Sequence, residues 1–132
     1  MLDEKGEKRM AKAVGVGGIF LKAQDPKALS AWYAKHLGIS TVEGGSMVFE
    51  GPESFGTTAF SYFPMATKHF GEGSQAAMVN FRVDDLTQLL ADLTAAGVRV
   101  DEKVEDYGGF GKFGWIWDLE GNRVELWEVA AE

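Results

Sequence analysis

The sequence predicts an α+β fold in which two βαβββ modules form one curved mixed sheet around a cleft. Three observations predict it: a strand–helix–strands order appears twice, the two copies align, and each helix has an acidic residue before it and a glycine after it. In the alignment Leu21 matches Phe81, and Asp25 matches Asp85. Since one such module cannot bury its sheet alone, the two modules must pack together as one domain.

The first module begins with an apolar strand over residues 14–23. Asp25 is a typical helix N-cap, and Pro26 suits the first helical position. The helix carries an apolar stripe at helical spacing, formed by Leu29, Trp32, Tyr33 and Leu37. Gly38 closes the helix. Glycine-rich turns then separate short strands that are predicted at residues 41–43, 46–50 and 57–63.

The second module repeats this order after a long connection. A strand over residues 77–83 leads to Asp84 and Asp85 as caps, and Gly97 ends the second helix. The stripe of this helix consists of Leu86, Leu89, Leu90 and Leu93. Further strands are predicted at residues 98–104, 112–118 and 123–129. We therefore divide the chain into a flexible leader (1–12) and a single domain (13–132), with module one at 13–64, a linker at 65–75 and module two at 76–130.

Side chains of each strand alternate between the helix side of the sheet and the cleft. In the last strand Val124 and Leu126 face the core, so Glu125 points into the cleft. The first strands of the two modules offer the cleft Gly18, Phe20 and Lys22, and Met78, Asn80 and Arg82. Alignment of FGTTAFSYF (55–63) with EGNRVELWE (120–128) adds a third set from module one: Thr58, Phe60 and Tyr62.

Composition limits the classes of function. The formal net charge of -7 argues against nucleic-acid partners, because phosphate binding needs a clustered basic surface. The chain has no cysteine, which excludes disulfides, thiolate nucleophiles and cysteine zinc sites. No apolar run is long enough to span a membrane, and the charged N-terminus does not resemble a secretory signal. We therefore expect a cytoplasmic protein without membrane or nucleic-acid partners.

Three runs of the sequence resemble the vicinal-oxygen-chelate superfamily, which includes glyoxalase I, bleomycin-resistance proteins, fosfomycin-resistance proteins and extradiol dioxygenases. The runs are GGIFLKAQDPKALSAWYAKHLGI, VNFRVDDLTQLLADLTAAGV and the closing WDLEGNRVELWE. The resemblance covers residues 14–129 and implies paired modules, a homodimer and a divalent metal in the cleft. The family's ligand positions correspond here to Gly18, Phe60, Met78 and Glu125. Of these four, Glu125 alone suits a hard or borderline cation. We therefore expect no metal cofactor, with a divalent metal as the alternative.

Glu125 is the candidate catalytic residue. It would act as a general base, anchor a cationic group or bind a metal; alternatively it is paired with Arg123, Lys22 or Arg82, because a cleft carboxylate needs a partner. The sequence leaves these alternatives open.

The two histidines are less informative. His36 is expected to be structural at the end of the first helix. His69 lies in the connection, either as an exposed loop residue or folded over the cleft mouth as an acid, a base or a metal ligand.

Candidate ligand-binding residues are of two kinds. Lys22 and Arg82, which match in the internal alignment, form a basic pair for an anionic molecule or are rim charges paired with acids. The remaining candidates would contact an aromatic or amphipathic ligand: Phe60, Tyr62, Met78, Trp115, Trp117 and Trp127. The same side chains, together with Phe20, are equally consistent with a filled cleft or a dimer interface.

The functional hypotheses follow from the resemblance and its departures. The first is a protein of this family that lacks the usual metal quartet and binds a small aromatic or anionic molecule in its cleft. The second is a divalent-metal-dependent lyase, isomerase or dioxygenase that recruits unusual ligands such as Glu125 and His69. The third is an interaction protein whose cleft is filled.

Overall fold

The computed structural model describes residue 6 and residues 10–37, 47–49 and 58–131, the backbone alone being described at 32, 33, 35–37 and 47–49. The elements, in chain order, are β1 (Ala13–Ala23), α1 (Pro26–Leu37), β2 (Met47–Phe49), β3 (Thr58–Pro64), β4 (Ala77–Val83), α2 (Leu86–Ala95), β5 (Val100–Asp106), β6 (Lys112–Trp117) and β7 (Arg123–Glu128). The predicted strand at 41–43, the predicted cap Gly38 and most of the predicted leader lie outside the described residues.

The seven described strands form one mixed sheet in the order β2-β3-β1-β4-β7-β6-β5. β1 and β4 run antiparallel in the middle of the sheet, where Ile19 pairs with Val79. Each of these two strands has a parallel neighbour from its own half of the chain, β3 beside β1 and β7 beside β4. The α+β fold with paired modules is confirmed, and β1 and β4 form the seam between the modules.

The helices begin and end for the reasons that the sequence indicates. The Asp25 carboxylate accepts a hydrogen bond from the backbone N–H of Ala28 at 3.0 Å, and Asp85 accepts one from Gln88 at 3.1 Å. Gly97 follows α2 with a φ of 85°, a left-handed conformation that closes helices and that glycine adopts without strain. Neither α1 nor α2 is long and apolar enough to cross a membrane, and the other described residues include no such helix.

The sheet carries an apolar core on each face. α2 packs on one face, where Leu86 contacts Val83 and Leu126. The opposite face is the cleft side, and its buried core, the cleft-side core, consists of Phe20, Phe70, Met78 and Trp115. Phe70 belongs to the connection between the modules and is 1% exposed. The connection therefore covers part of the cleft face.

The prediction of which β3 side chains face the cleft is wrong by one residue. In the parallel pair β1–β3, Phe20 lies beside Ser61 and Ile19 lies beside Phe60, so Phe60 and Tyr62 lie on the helix side, away from the cleft. The residues of β3 on the cleft face are Ala59, Ser61 and Phe63. A shift of one residue moves every side chain of a strand to the other face. In module one the structural counterpart of Glu125 is consequently Ser61 and not Phe60.

Candidate functional site

Glu125 lies on β7 at the centre of the cleft face and is 2% exposed. Its Oε1 accepts a hydrogen bond from Asn80 Nδ2 at 2.6 Å, and its Oε2 accepts one from Trp115 Nε1 at 2.9 Å. The Nε2 atom of His69 lies 2.9 Å from the same Oε2. Three nitrogen atoms thus surround a buried carboxylate, which satisfies the requirement that a buried charge be paired and hydrogen-bonded. The candidate partners named from the sequence were Arg123, Lys22 and Arg82. This prediction is wrong, because Glu125 is bonded to Asn80, Trp115 and His69.

β4, β6 and β7 position the three sheet residues of this network. Asn80 and Trp115 flank Glu125 in the sheet, because β4 pairs Asn80 with Glu125 and β6 pairs Trp115 with Glu125. Adjacent residues of paired strands project on the same face, so the amide and the indole reach the carboxylate from both sides. His69 approaches from above the sheet, from the connection.

His69 is enclosed by aromatic rings but remains partly open. Its imidazole stacks on Phe63 with ring centroids 4.8 Å apart and an interplanar angle of 9°, and it meets Trp115 edge-on at 5.8 Å. The side chain is 30% exposed, compared with 3% for the side chain of Glu125. The next residue, Phe70, is buried in the cleft-side core and fixes the backbone at this point. The imidazole therefore has one edge on a buried carboxylate while part of its surface reaches solvent.

Arg123 and Gln75 hold the connection against β7. Arg123 Nε donates to the carbonyl oxygen of His69 at 3.1 Å, and Gln75 Nε2 and Oε1 bond the backbone oxygen and nitrogen of Arg123 at 3.1 and 2.9 Å. The guanidinium group also pairs with Asp101 at 3.0 Å. The pKa of Asp101 is lowered, mainly because the backbone N–H of Lys103 donates to its carboxylate and also through the hydrogen bond and charge of Arg123.

Asn80 is fully buried, at 0% exposure. Its Nδ2 faces Glu125, while within the described part of the chain its Oδ1 has no hydrogen-bond partner and faces Gly17. A Cβ atom at Gly17 would lie 2.0 Å from this oxygen. Glycine at position 17 is therefore required for Asn80 to reach Glu125.

The structure separates the two predicted basic residues. Lys22 lies near the end of β1 and places its ammonium group 5.6 Å from the centroid of the Phe70 ring. Arg82 lies opposite Gly15 at the start of β1 and donates to the Val16 carbonyl oxygen at 3.0 Å. About 20 Å of strand lies between these positions. Lys22 is near the His69 end of the cleft, and the two cations do not form one anion site.

The three predicted tryptophans all lie on the cleft face. Trp115 is buried beside Glu125, and Trp117 lies beneath the guanidinium groups of Arg99 and Arg123, at 3.8 and 5.0 Å from its ring centroid. Trp127 is buried, and its Nε1 donates to the Phe110 carbonyl oxygen at 2.5 Å. Each indole thus makes a hydrogen bond or a cation–π contact within the protein.

The sequence predicted that Glu125 lies on the cleft face, but it did not predict most of the residues that surround this carboxylate. Met78 is buried in the cleft-side core, as expected from its alternation. Asn80 was assigned to the cleft without a role, and the contribution of Phe63 was missed because of the shifted register. A His69 side chain folded over the cleft was one of the open alternatives, but its contact with Glu125 was not predicted, since it brings together residues from distant parts of the chain.

In the described part of the chain, the side chains around Glu125 do not form the donor set that a transition metal usually takes in a protein. Among the residues that the structure describes, no three His, Asp or Glu side chains lie close enough together to hold a metal ion. His69 and Glu125 are bonded to each other, and Asn80 and Trp115 donate N–H groups to the carboxylate. Zinc and similar ions usually take three or four protein ligands.

The paired modules and the cleft between them define the class of protein. Residues 15–126 match the model of the Glyoxalase/Bleomycin resistance protein/Dioxygenase superfamily. The chain belongs to this family, as the sequence resemblance predicts.

Solved structures with the same fold include several methylmalonyl-CoA epimerases. The enzyme from Mycobacterium tuberculosis is 21% identical, with a TM-score of 0.67 and coverage of 90% of each chain. A methylmalonyl-CoA epimerase in complex with methylmalonyl-CoA and NH4+ is 15% identical, with a TM-score of 0.70 and coverage of 91% of this chain and 97% of that one. A variant of the Streptomyces coelicolor epimerase in complex with 2-nitronate-propionyl-CoA has the same identity and TM-score, with coverage of 91% and 100%. At these identities the likeness shows the fold alone. A search of curated proteins finds no match.

Proposed function

We propose that this chain binds a small anionic or aromatic molecule in its cleft, at His69, and that it does so without the metal quartet of its family. The observation that carries the proposal is the position of Glu125. Both oxygens of this carboxylate accept hydrogen bonds from protein side chains, and the partly exposed imidazole of His69 covers it. The polar group offered to a ligand is therefore the imidazole rather than the carboxylate.

Aromatic rings beside His69 support an aromatic or planar ligand. Phe63 stacks on the imidazole, and Phe20 lies 6.2 Å from it, centroid to centroid. Apolar and aromatic walls with few polar groups are typical of small-molecule sites. A planar ligand at the open side of the imidazole would extend this set of rings.

Lys22 supports a negative charge on the ligand. Its ammonium group and the imidazole of His69 flank the same ring, that of Phe70. No carboxylate among the described residues lies within ion-pair distance of Lys22. A lysine in this setting can receive a carboxylate or phosphonate as a point charge.

Thermal-shift titrations with three probes test the proposal. Benzoate carries a ring and a charge, benzyl alcohol carries the ring, and acetate carries the charge. We expect benzoate to raise Tm most, because a ligand of the folded state stabilises it by mass action. Lys22→Gln should remove the advantage of benzoate over benzyl alcohol, whereas Lys27→Gln, the same charge change at an exposed position of α1, should preserve it. No shift with any probe would refute the proposed site.

A divalent-metal-dependent isomerase, lyase or dioxygenase is the second candidate. The epimerases that share the fold favour an isomerase, while the donor set around Glu125 argues against a bound metal. Elemental analysis of protein purified without chelator distinguishes the two candidates. One metal per chain that is lost in Glu125→Ala would replace the first candidate by the second.

A further inference from the structure

We infer that His69 and Glu125 form a general-base dyad that removes a proton from an anionic carbon acid without a metal ion. This inference rests on the proposed binding site, to which it adds a chemical step.

The hydrogen-bond network assigns the tautomer of His69. A carboxylate accepts hydrogen bonds and cannot donate them, and Asn80 and Trp115 already donate to Glu125. The Nε2 atom of His69 faces the same carboxylate at 2.9 Å and therefore carries a hydrogen. In a neutral imidazole the other nitrogen, Nδ1, then has a free lone pair. Among the described residues, no group hydrogen-bonds to Nδ1.

Several contacts fix the imidazole before any ligand binds. Phe63 stacks on its face, and Arg123 binds its backbone carbonyl oxygen. Phe70 anchors the following residue in the cleft-side core. A base that its surroundings hold in one orientation needs little reorganisation during reaction. Arg123 is thus a positioning residue for His69.

The carboxylate contributes to the step as well as to the orientation. When Nδ1 takes a proton, the imidazole becomes a cation whose Nε2–H bond points at the buried charge of Glu125. Hydrogen bonds with ionised partners are roughly twice as strong as neutral ones. The carboxylate therefore faces the positive charge that develops on the imidazole during proton transfer, as a buried carboxylate does for other catalytic histidines.

The charge and the rings define the class of substrate. Lys22 would bind its carboxylate, and the rings around His69 would contact a planar group. The acidic C–H bond must lie next to a carbonyl group, so that its electron pair passes into an enolate. Nδ1 takes the proton and returns it to a carbon or oxygen of the same enolate. The step is balanced without an oxidant, a reductant or a second substrate.

Phenylpyruvate is a suitable probe, because it combines a ring, a carboxylate and a methylene group next to a ketone. Exchange of its methylene protons for deuterium in D2O is followed by proton NMR, and binding is followed separately by thermal shift. We expect the wild type to accelerate exchange above the buffer rate. His69→Gln retains an N–H donor for Glu125 but lacks a basic nitrogen, and it should lower the accelerated rate by about 10²–10⁴-fold. Glu125→Gln should lower it while binding persists, and His36→Gln, at the other histidine, should match the wild type.

The outcomes separate the dyad from the binding site. Binding of phenylpyruvate without accelerated exchange, or equal rates in the wild type and His69→Gln, would overturn the dyad and leave the proposed binding function in place. Absence of binding would overturn both. The tautomer is tested without any ligand, because ¹⁵N NMR distinguishes the two neutral forms of His69. Hydrogen on Nδ1 instead of Nε2 would also overturn the inference, even if the variants fold poorly.

Discussion

Gly17→Ala is expected to destabilise the fold through Glu125, a residue that it does not contact. The new Cβ atom would lie 2.0 Å from Asn80 Oδ1 and 3.0 Å from Trp127 Cε3. Asn80 is 0% exposed and Trp127 is 5% exposed, so neither side chain has free space into which it can move. Displacing the amide separates its Nδ2 from Glu125.

The magnitude follows from three effects. A broken hydrogen bond to a charged acceptor costs about 1.5–3 kcal/mol, and overpacking of a buried site costs about 1–3 kcal/mol. The φ of Gly17 is not in the left-handed region, so alanine is otherwise favoured there by about 0.4–1 kcal/mol. The free energy of unfolding should therefore fall by about 1.5–5.5 kcal/mol. For 132 residues at about 2.1 cal/mol/K of unfolding entropy per residue, Tm should fall by about 5–20 °C.

Thermal unfolding followed by circular dichroism measures this effect against a matched control. At Gly73 a Cβ atom would have no neighbour within 4 Å, and its φ is also outside the left-handed region. Gly73→Ala should therefore leave Tm unchanged or slightly raised. If Gly17→Ala and Gly73→Ala have the same Tm, the predicted crowding at Asn80 is refuted.

A double variant identifies Asn80 as the cause. Asn80→Ala removes the crowded oxygen, and by itself it destabilises the chain by removing a donor from Glu125. Adding Gly17→Ala to Asn80→Ala should cost little more, because the two changes act on one contact and are not additive. Full additivity of the two losses would place the clash elsewhere, for example at Trp127.

Three further predictions concern pH, metal and assembly. Hydrogen bonding by Lys103 and Arg123 lowers the pKa of Asp101 below its ordinary value of 3.8, so this carboxylate stabilises the fold above that pH and its contribution is lost as the pH falls through the lowered value. Asp101→Asn should therefore flatten the decline of Tm below pH 3.8, and an unchanged acid profile would contradict this. Treatment with a chelator should leave Tm unchanged, since loss of a bound metal would lower it; a fall that zinc or nickel reverses would contradict the metal-free site. The chain is predicted to be a homodimer, and light scattering that gives the mass of one chain would contradict this.

Features that depend on neighbouring residues were predictable from the sequence. Asp25 and Asp85 cap helices because their carboxylates reach backbone N–H groups three residues away. Glu125 was placed on the cleft face because Val124 and Leu126 on either side of it belong to the helix side. These assignments need a local pattern and no knowledge of how the strands pair.

Features that depend on strand register or on the connection were not predictable. β3 was assigned to the wrong face because the alignment paired Phe60 with Glu125, whereas strand pairing makes Ser61 its counterpart. The number of residues between the first strand and its parallel partner differs between the modules, Phe20 to Ser61 in one and Asn80 to Glu125 in the other. A sequence alignment alone does not show where the extra residues lie. His69 reaches Glu125 because the connection folds back over the sheet and Phe70 is buried there, which no local pattern encodes.

The distribution of polar residues between the modules supports the proposed metal-free site. The pseudo-symmetry of the sheet pairs Asn80 with Phe20 and Glu125 with Ser61 as equivalent positions. Module one thus contributes an aromatic ring and a hydroxyl where module two contributes an amide and a carboxylate. A metal held between modules needs strong ligands from both, and the described part of module one supplies none on the cleft face. The histidine of the connection supplies a polar partner for Glu125 instead. In the proposed site the reacting groups would therefore lie on one side of the cleft, and its aromatic side and Lys22 would contact the ligand.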